Sequence, residues 1–144
     1  MEYRKFGEKI YVRLDRDDEI LASLISVCEK EDVNLAQIQG IGGCMSAGVG
    51  IFDTAAKQYV RYDKEAMLEL ISLDGNVTRY EDKPYIHAHA TFAYNENGEA
   101  HTLTGHLLEA VIGLTGEIVI TPADGRIGRR FIPETGIRIW DFEG

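Results

Sequence analysis

From Pro84 to His106 the chain reads PYIHAHATFAYNENGEAHTLTGH. Two strand-like runs flank Asn95-Glu96-Asn97-Gly98, a strong turn former, so the stretch is expected to fold as a β-hairpin. Pro84 suits the start of a strand, where a missing N–H is tolerated. All four histidines of the protein fall within this stretch. His87 and His89 stand two residues apart, so on a strand both rings leave the same face, with Cα atoms roughly 7 Å apart. Converging imidazoles at that spacing can hold one divalent ion, and neutral imidazole is a usual ligand of Zn²⁺.

Strand pairing brings a third candidate. If Asn95 to Gly98 form a four-residue loop, His106 faces His87. If Asn97-Gly98 alone form a type I′ turn, His106 faces His89. Either register puts His106 on the same face as the first two, with directly opposed Cβ atoms about 5 Å apart. Three nitrogens on two neighbouring strands make an open facial site with room for water or substrate. His101 has the wrong parity in both registers and reads as a surface residue. The expected metal ligands are therefore His87, His89 and His106, and the expected cofactor is a divalent ion, Zn²⁺ first. An open site of this kind is compatible with catalysis, through an activated water or a polarised carbonyl on a small-molecule ligand. Glu109 follows closely and is the one catalytic candidate, as acid/base or as an acceptor behind the ligands; a salt-bridged or solvated glutamate is the competing reading.

The rest of the chain reads as scaffold. Its 144 residues suit a single domain, 1–144, with a real core. A formal net charge of −9 opposes unaided binding to phosphate backbones. Cys28 and Cys44 lie in apolar surroundings without CxxC spacing and read as buried thiols of a reducing compartment. The most apolar late run, Ala110 to Ile120, is too short to span a bilayer and contains Glu117. The expectation is a soluble, cytoplasmic protein with no membrane partner.

Lys9 to Leu14 alternates as a first strand. Asp17 and Asp18 are expected to cap a helix, Asp17–Glu31, whose apolar stripe is Ile20, Leu21, Leu24, Ile25 and Cys28. Strand-like runs follow at 35–43, 46–53 and 58–63, with Thr54 to Lys57 as a turn between the last two. Met67 to Tyr80 reads as strand broken at Asp74-Gly75-Asn76 by a turn. Glu109 to Ile120 is rich in β-branched residues, PADG and PETG are turns, and Gly136 to Phe142 closes as a strand. One helix and many strands indicate an α+β fold, mostly antiparallel. Gly40, Gly42, Gly43 and Gly48 suit bends and close backbone approaches better than a phosphate loop, since no helix follows them. Arg126, Arg129 and Arg130 read as a solvated turn or an anion site, and Trp140 as core or subunit interface.

Several of these runs, PYIHAHATF, GHLLEA and GEIVITP together with VRLDRDDEILASLISVC, IQGIGG, GVGIFD and ISLDGNV, resemble the plant-and-prokaryote-conserved (PPC) domain. The resemblance covers essentially the whole chain. It implies a curled, largely antiparallel sheet around a core, a homotrimer, and metal held at His87, His89 and His106. Prokaryotic members usually carry a DNA-binding label, which makes a nucleic-acid-associated regulatory role the alternative. In plants a separate AT-hook contacts DNA, and no such RGRP core occurs in this sequence. The implied fold is also similar to that of acetolactate decarboxylase, a zinc enzyme, which makes a metal-dependent lyase or hydrolase of a small carbonyl compound a further alternative.

Overall fold

The computed structural model describes residues 1–143. In chain order it contains β1 (Glu2–Phe6), β2 (Lys9–Leu14), α1 (Ile20–Lys30), β3 (Ala36–Asp53), β4 (Gln58–Tyr80), β5 (Lys83–Glu96), β6 (Glu99–Pro122), β7 (Gly128–Ile132) and β8 (Ile137–Asp141). The first six strands form one antiparallel sheet in the order β1-β2-β6-β3-β4-β5. An additional β5–β6 pairing closes β3, β4, β5 and β6 into a cycle. β7 and β8 make a separate hairpin. The α+β reading therefore holds, with α1 the only helix among the described residues. No helix is long and apolar enough to cross a membrane among those residues.

The core lies inside the curl. β2 contributes Ile10, Val12 and Leu14 at alternate positions, and α1, packed against β5 and β6, adds Ile20, Leu24, Val27 and Cys28 to the same cluster. Burying such side chains is worth about 1.5–3 kcal/mol each and supplies the main driving force. Alternation on β5 sends Ala88, Ala90 and Phe92 inward, and so sends His87, His89 and Thr91 to the opposite face.

Four sequence expectations are corrected. The helix begins at Ile20, and its cap is Glu19 rather than Asp17 or Asp18: Glu19 Oε2 accepts the Ala22 amide at 2.6 Å. Glu19 Oε1 also accepts the Ala110 amide of β6 at 3.2 Å, so a longer side chain serves where both helix and sheet need an acceptor. Asp18 instead accepts the Asp15 amide at 2.8 Å, within the preceding turn. Next, Asp74-Gly75-Asn76 is no turn. β4 runs straight through it, paired on one side with β3 and on the other with β5. Gly75 is needed there because a Cβ would stand 2.6 Å from the His87 carbonyl oxygen and 2.8 Å from Ala88 Cβ. Third, the runs 35–43 and 46–53 are one strand, bent by register shifts at Gly40/Gly42 and Cys44/Ser46. Finally, of the two readings of Trp140, core or subunit interface, its 43% exposure removes the first.

Candidate metal centre

The turn resolves the hairpin register. Asn97 and Gly98 have φ of 55° and 86°, the left-handed pair that a type I′ turn requires, and Glu96 pairs with Glu99. His89 therefore faces His106 across the β5–β6 ladder. His106 in turn faces Gly50 of β3 on its other side. The three rings of His87, His89 and His106 stand 5.1–5.6 Å apart between centroids. One candidate ligand nitrogen from each lies within 4.8 Å of the other two. Nitrogens held ~2.0–2.1 Å from a tetrahedral ion are roughly 3.3 Å apart, so small side-chain rotations suffice to bring these onto one ion.

The electrostatics favour neutral donors at His87 and His106. Burial, with His87, His89 and Arg129 adding to it, lowers the His106 pKa to about 4. His87 is lowered by burial first, then by Arg129 and His89. Both rings keep a lone pair at neutral pH, and no acid shares the cluster of ligand atoms. His106 Nδ1 is buried with no hydrogen-bond partner. Three converging imidazoles with one ring nitrogen left unpaired fit a metal ion as their common partner.

Around this cluster two aromatic rings make walls. Tyr59 stacks on His106 at 4.6 Å, and Gly50 leaves it the space: a Cβ there would meet the Tyr59 ring at 2.8 Å. Tyr85, paired with Thr78 on β4, lies beneath the Arg129 guanidinium at 4.8 Å.

His101 falls outside the cluster, opposite Tyr94 near the turn, where it stacks on that ring with its side chain 40% exposed. Glu109 stands opposite Gly48 of β3 and is bonded to Arg61 at 2.9 Å. Of the three arginines read as a solvated turn or an anion site, Arg126 pairs with Asp82 and Arg130 is exposed. Arg129 differs. Its Nε donates to Thr78 Oγ1 at 2.9 Å and its Nη2 to Asn76 Oδ1 at 2.8 Å, on the face that carries the histidines. Thr78 is fully buried beneath it. Nothing local in GRIGRR distinguishes Arg129 from its neighbours, because the role comes from β7 crossing β4 some fifty residues away in sequence.

Residues 1–124 match the family model of the Plants and Prokaryotes Conserved (PCC) domain. The chain belongs to this family. Among solved structures, a candidate DNA-binding protein from Bacteroides thetaiotaomicron is 30% identical to this PCC-domain chain. It covers 99% of this chain and 98% of its own, with a TM-score of 0.91. A metal-containing protein from Archaeoglobus fulgidus is also 30% identical, with 96% of each chain covered and a TM-score of 0.83. A protein of unknown function from Staphylococcus aureus, described as similar to α-acetolactate decarboxylase, shares the fold at 12% identity. That match has a TM-score of 0.56 over 86% of this chain and 54% of the other. Comparison with curated proteins gives no match.

Proposed function

We propose that this PCC-domain protein is a homotrimer in which each subunit holds one divalent ion, zinc by preference, at His87, His89 and His106, leaving an open position for a small-molecule ligand. The observation that carries the reading is the convergence of three imidazole nitrogens within 4.8 Å on the exposed side of two adjacent, doubly paired strands, β5 and β6. All-imidazole sets suit zinc among the common divalent ions. The metal-containing relative from Archaeoglobus fulgidus supports it. A zinc ion in such a site supplies a Lewis acid for a carbonyl or an activated water. The chain's own residues position the ligand: Tyr59 limits approach beside His106, and Tyr85 bounds the site below Arg129.

The trimer is supported by an apolar strip on the outer face of β3, β4 and β6. Ile41, Met67, Ile71 and Leu114 are 46–65% exposed, and Met67 and Leu114 close over Gly43. Exposed contiguous apolar surface of this kind marks a protein contact.

Metal analysis of protein purified without a nickel column tests the reading. About one ion per chain is expected, and an unchanged content in a His87→Ala/His106→Ala double variant would sink it. A nucleic-acid-associated role is the second reading, favoured by the label on the Bacteroides relative. It predicts duplex binding with steep salt dependence, whereas a net charge of −9 predicts none at low salt.

A further inference from the structure

Arg129 is a half-buried cation with no ion-pair partner. Among the described residues, no carboxylate lies within 4.0 Å of it, as is true of Arg16, Arg79, Arg130 and Arg138, but of these Arg129 alone bonds to Asn76 and Thr78 on the face of the histidines. Its guanidinium has five N–H donors. Nε serves Thr78, Nη2 serves Asn76, and Nη1 reaches the Arg138 carbonyl at a long 3.4 Å. Nη1 and Nη2 therefore each keep one N–H, and the stack on Tyr85 fixes the plane of the group. Arginine so held is prepared to take a carboxylate at two points.

Its position matters as much as its spare donors. Asn76, which holds Nη2, is the direct ladder partner of His87. Paired residues on adjacent antiparallel strands put their side chains on the same face, with Cβ atoms about 5 Å apart. The guanidinium is thus held one side chain away from the first metal ligand. Asp74, the ladder partner of His89, is exposed, and its carboxylate does not join the ligand cluster. With a divalent ion on three neutral imidazoles, two cationic centres would face the same opening. Unpaired charge held partly out of water is costly, and an anion between the two centres relieves it.

We infer that Arg129 binds the carboxylate of a small carboxylate-bearing ligand whose other end is taken by the metal at His87, His89 and His106. The assignment rests on the metal reading above and adds the substrate class to it. Arg129 also lies beyond residues 1–124, the span matched by the family model, so the anion-binding group is supplied by the C-terminal hairpin.

The test is calorimetric titration of zinc-loaded protein with pyruvate and, separately, with inorganic phosphate, on wild type, Arg129→Gln and Arg129→Lys. Metal content and melting temperature are measured on each. Saturable pyruvate binding is expected in wild type, at least tenfold weaker in Arg129→Gln and intermediate in Arg129→Lys, with metal content equal in all three. Equal pyruvate binding in wild type and Arg129→Gln overturns the assignment, as does failure of loaded wild type to bind pyruvate. Phosphate binding tighter than pyruvate overturns the carboxylate class. If Arg129→Gln melts early, Arg129→Lys decides: pyruvate affinity within twofold of wild type overturns the two-point contact. Wild type that takes up no metal sinks the proposed function itself, a result distinct from a metal-loaded protein indifferent to Arg129.

Discussion

The carbonyl oxygen of His87 passes 2.6 Å from the point where a Cβ on Gly75 would stand. The strand carrying two of the candidate ligands therefore leans on a residue that has no side chain. Gly75→Ala forces the β4 and β5 backbones apart, and overpacking of this kind costs typically about 1–3 kcal/mol. Urea denaturation is expected to show that loss, with metal content falling alongside it as His87 shifts away from His106.

The histidines should divide three to one. His101→Ala is expected to keep the metal content of wild type, since its ring lies against Tyr94 and outside the cluster. His87→Ala or His106→Ala should each lower it, and the double variant should bring it near zero. Elemental analysis on the same preparation as a protein assay reads all four directly.

Leu114 is 65% exposed, the most of the four residues of the outer apolar strip. Leu114→Asp places a charge there and is expected to convert three-chain particles to single chains. Light scattering after size exclusion measures the mass. Circular dichroism should stay unchanged, because the side chain makes no part of the core.

Burial pushes the thiols of Cys28 and Cys44 up to about 12 from an ordinary value of 9. The folded protein keeps these protons where the unfolded chain begins to release them. Their contribution to stability is thus full below pH 9 and is lost as pH rises from 9 towards 12. A thiol reagent at pH 8 should label neither cysteine in native protein and both in urea, and the denaturation midpoint should fall steadily above pH 9.

The clustering of the three histidines was unusually legible in the sequence because strand parity is arithmetic. A two-residue spacing puts His87 and His89 on one face, and any even hairpin register brings His106 to the same face and sends His101 away. The sequence left two registers open, and the left-handed pair at Asn97-Gly98 selects the one in which His106 faces His89. What stayed hidden depends on contacts far apart in sequence. Asp74-Gly75-Asn76 has the composition of a turn, yet its glycine answers to the close passage of β5, which no local window shows. Asp17 and Asp18 are good caps by residue type. Glu19 takes that place because its second oxygen also reaches a β6 amide, ninety-one residues on. Arg129 sits in a short basic run that reads as solvated until the last hairpin is laid across Thr78 and Asn76.

That hairpin has a bearing on how proteins of this architecture diversify. The ligand-bearing strands are locked on both edges by the closed cycle of β3 to β6, where almost any change disturbs a neighbour. β7 and β8 stand apart as their own two-stranded sheet, attached by a few arginine contacts. A lineage can rewrite the last twenty residues, exchange the charge beside the histidines, and inherit the three-histidine floor unaltered.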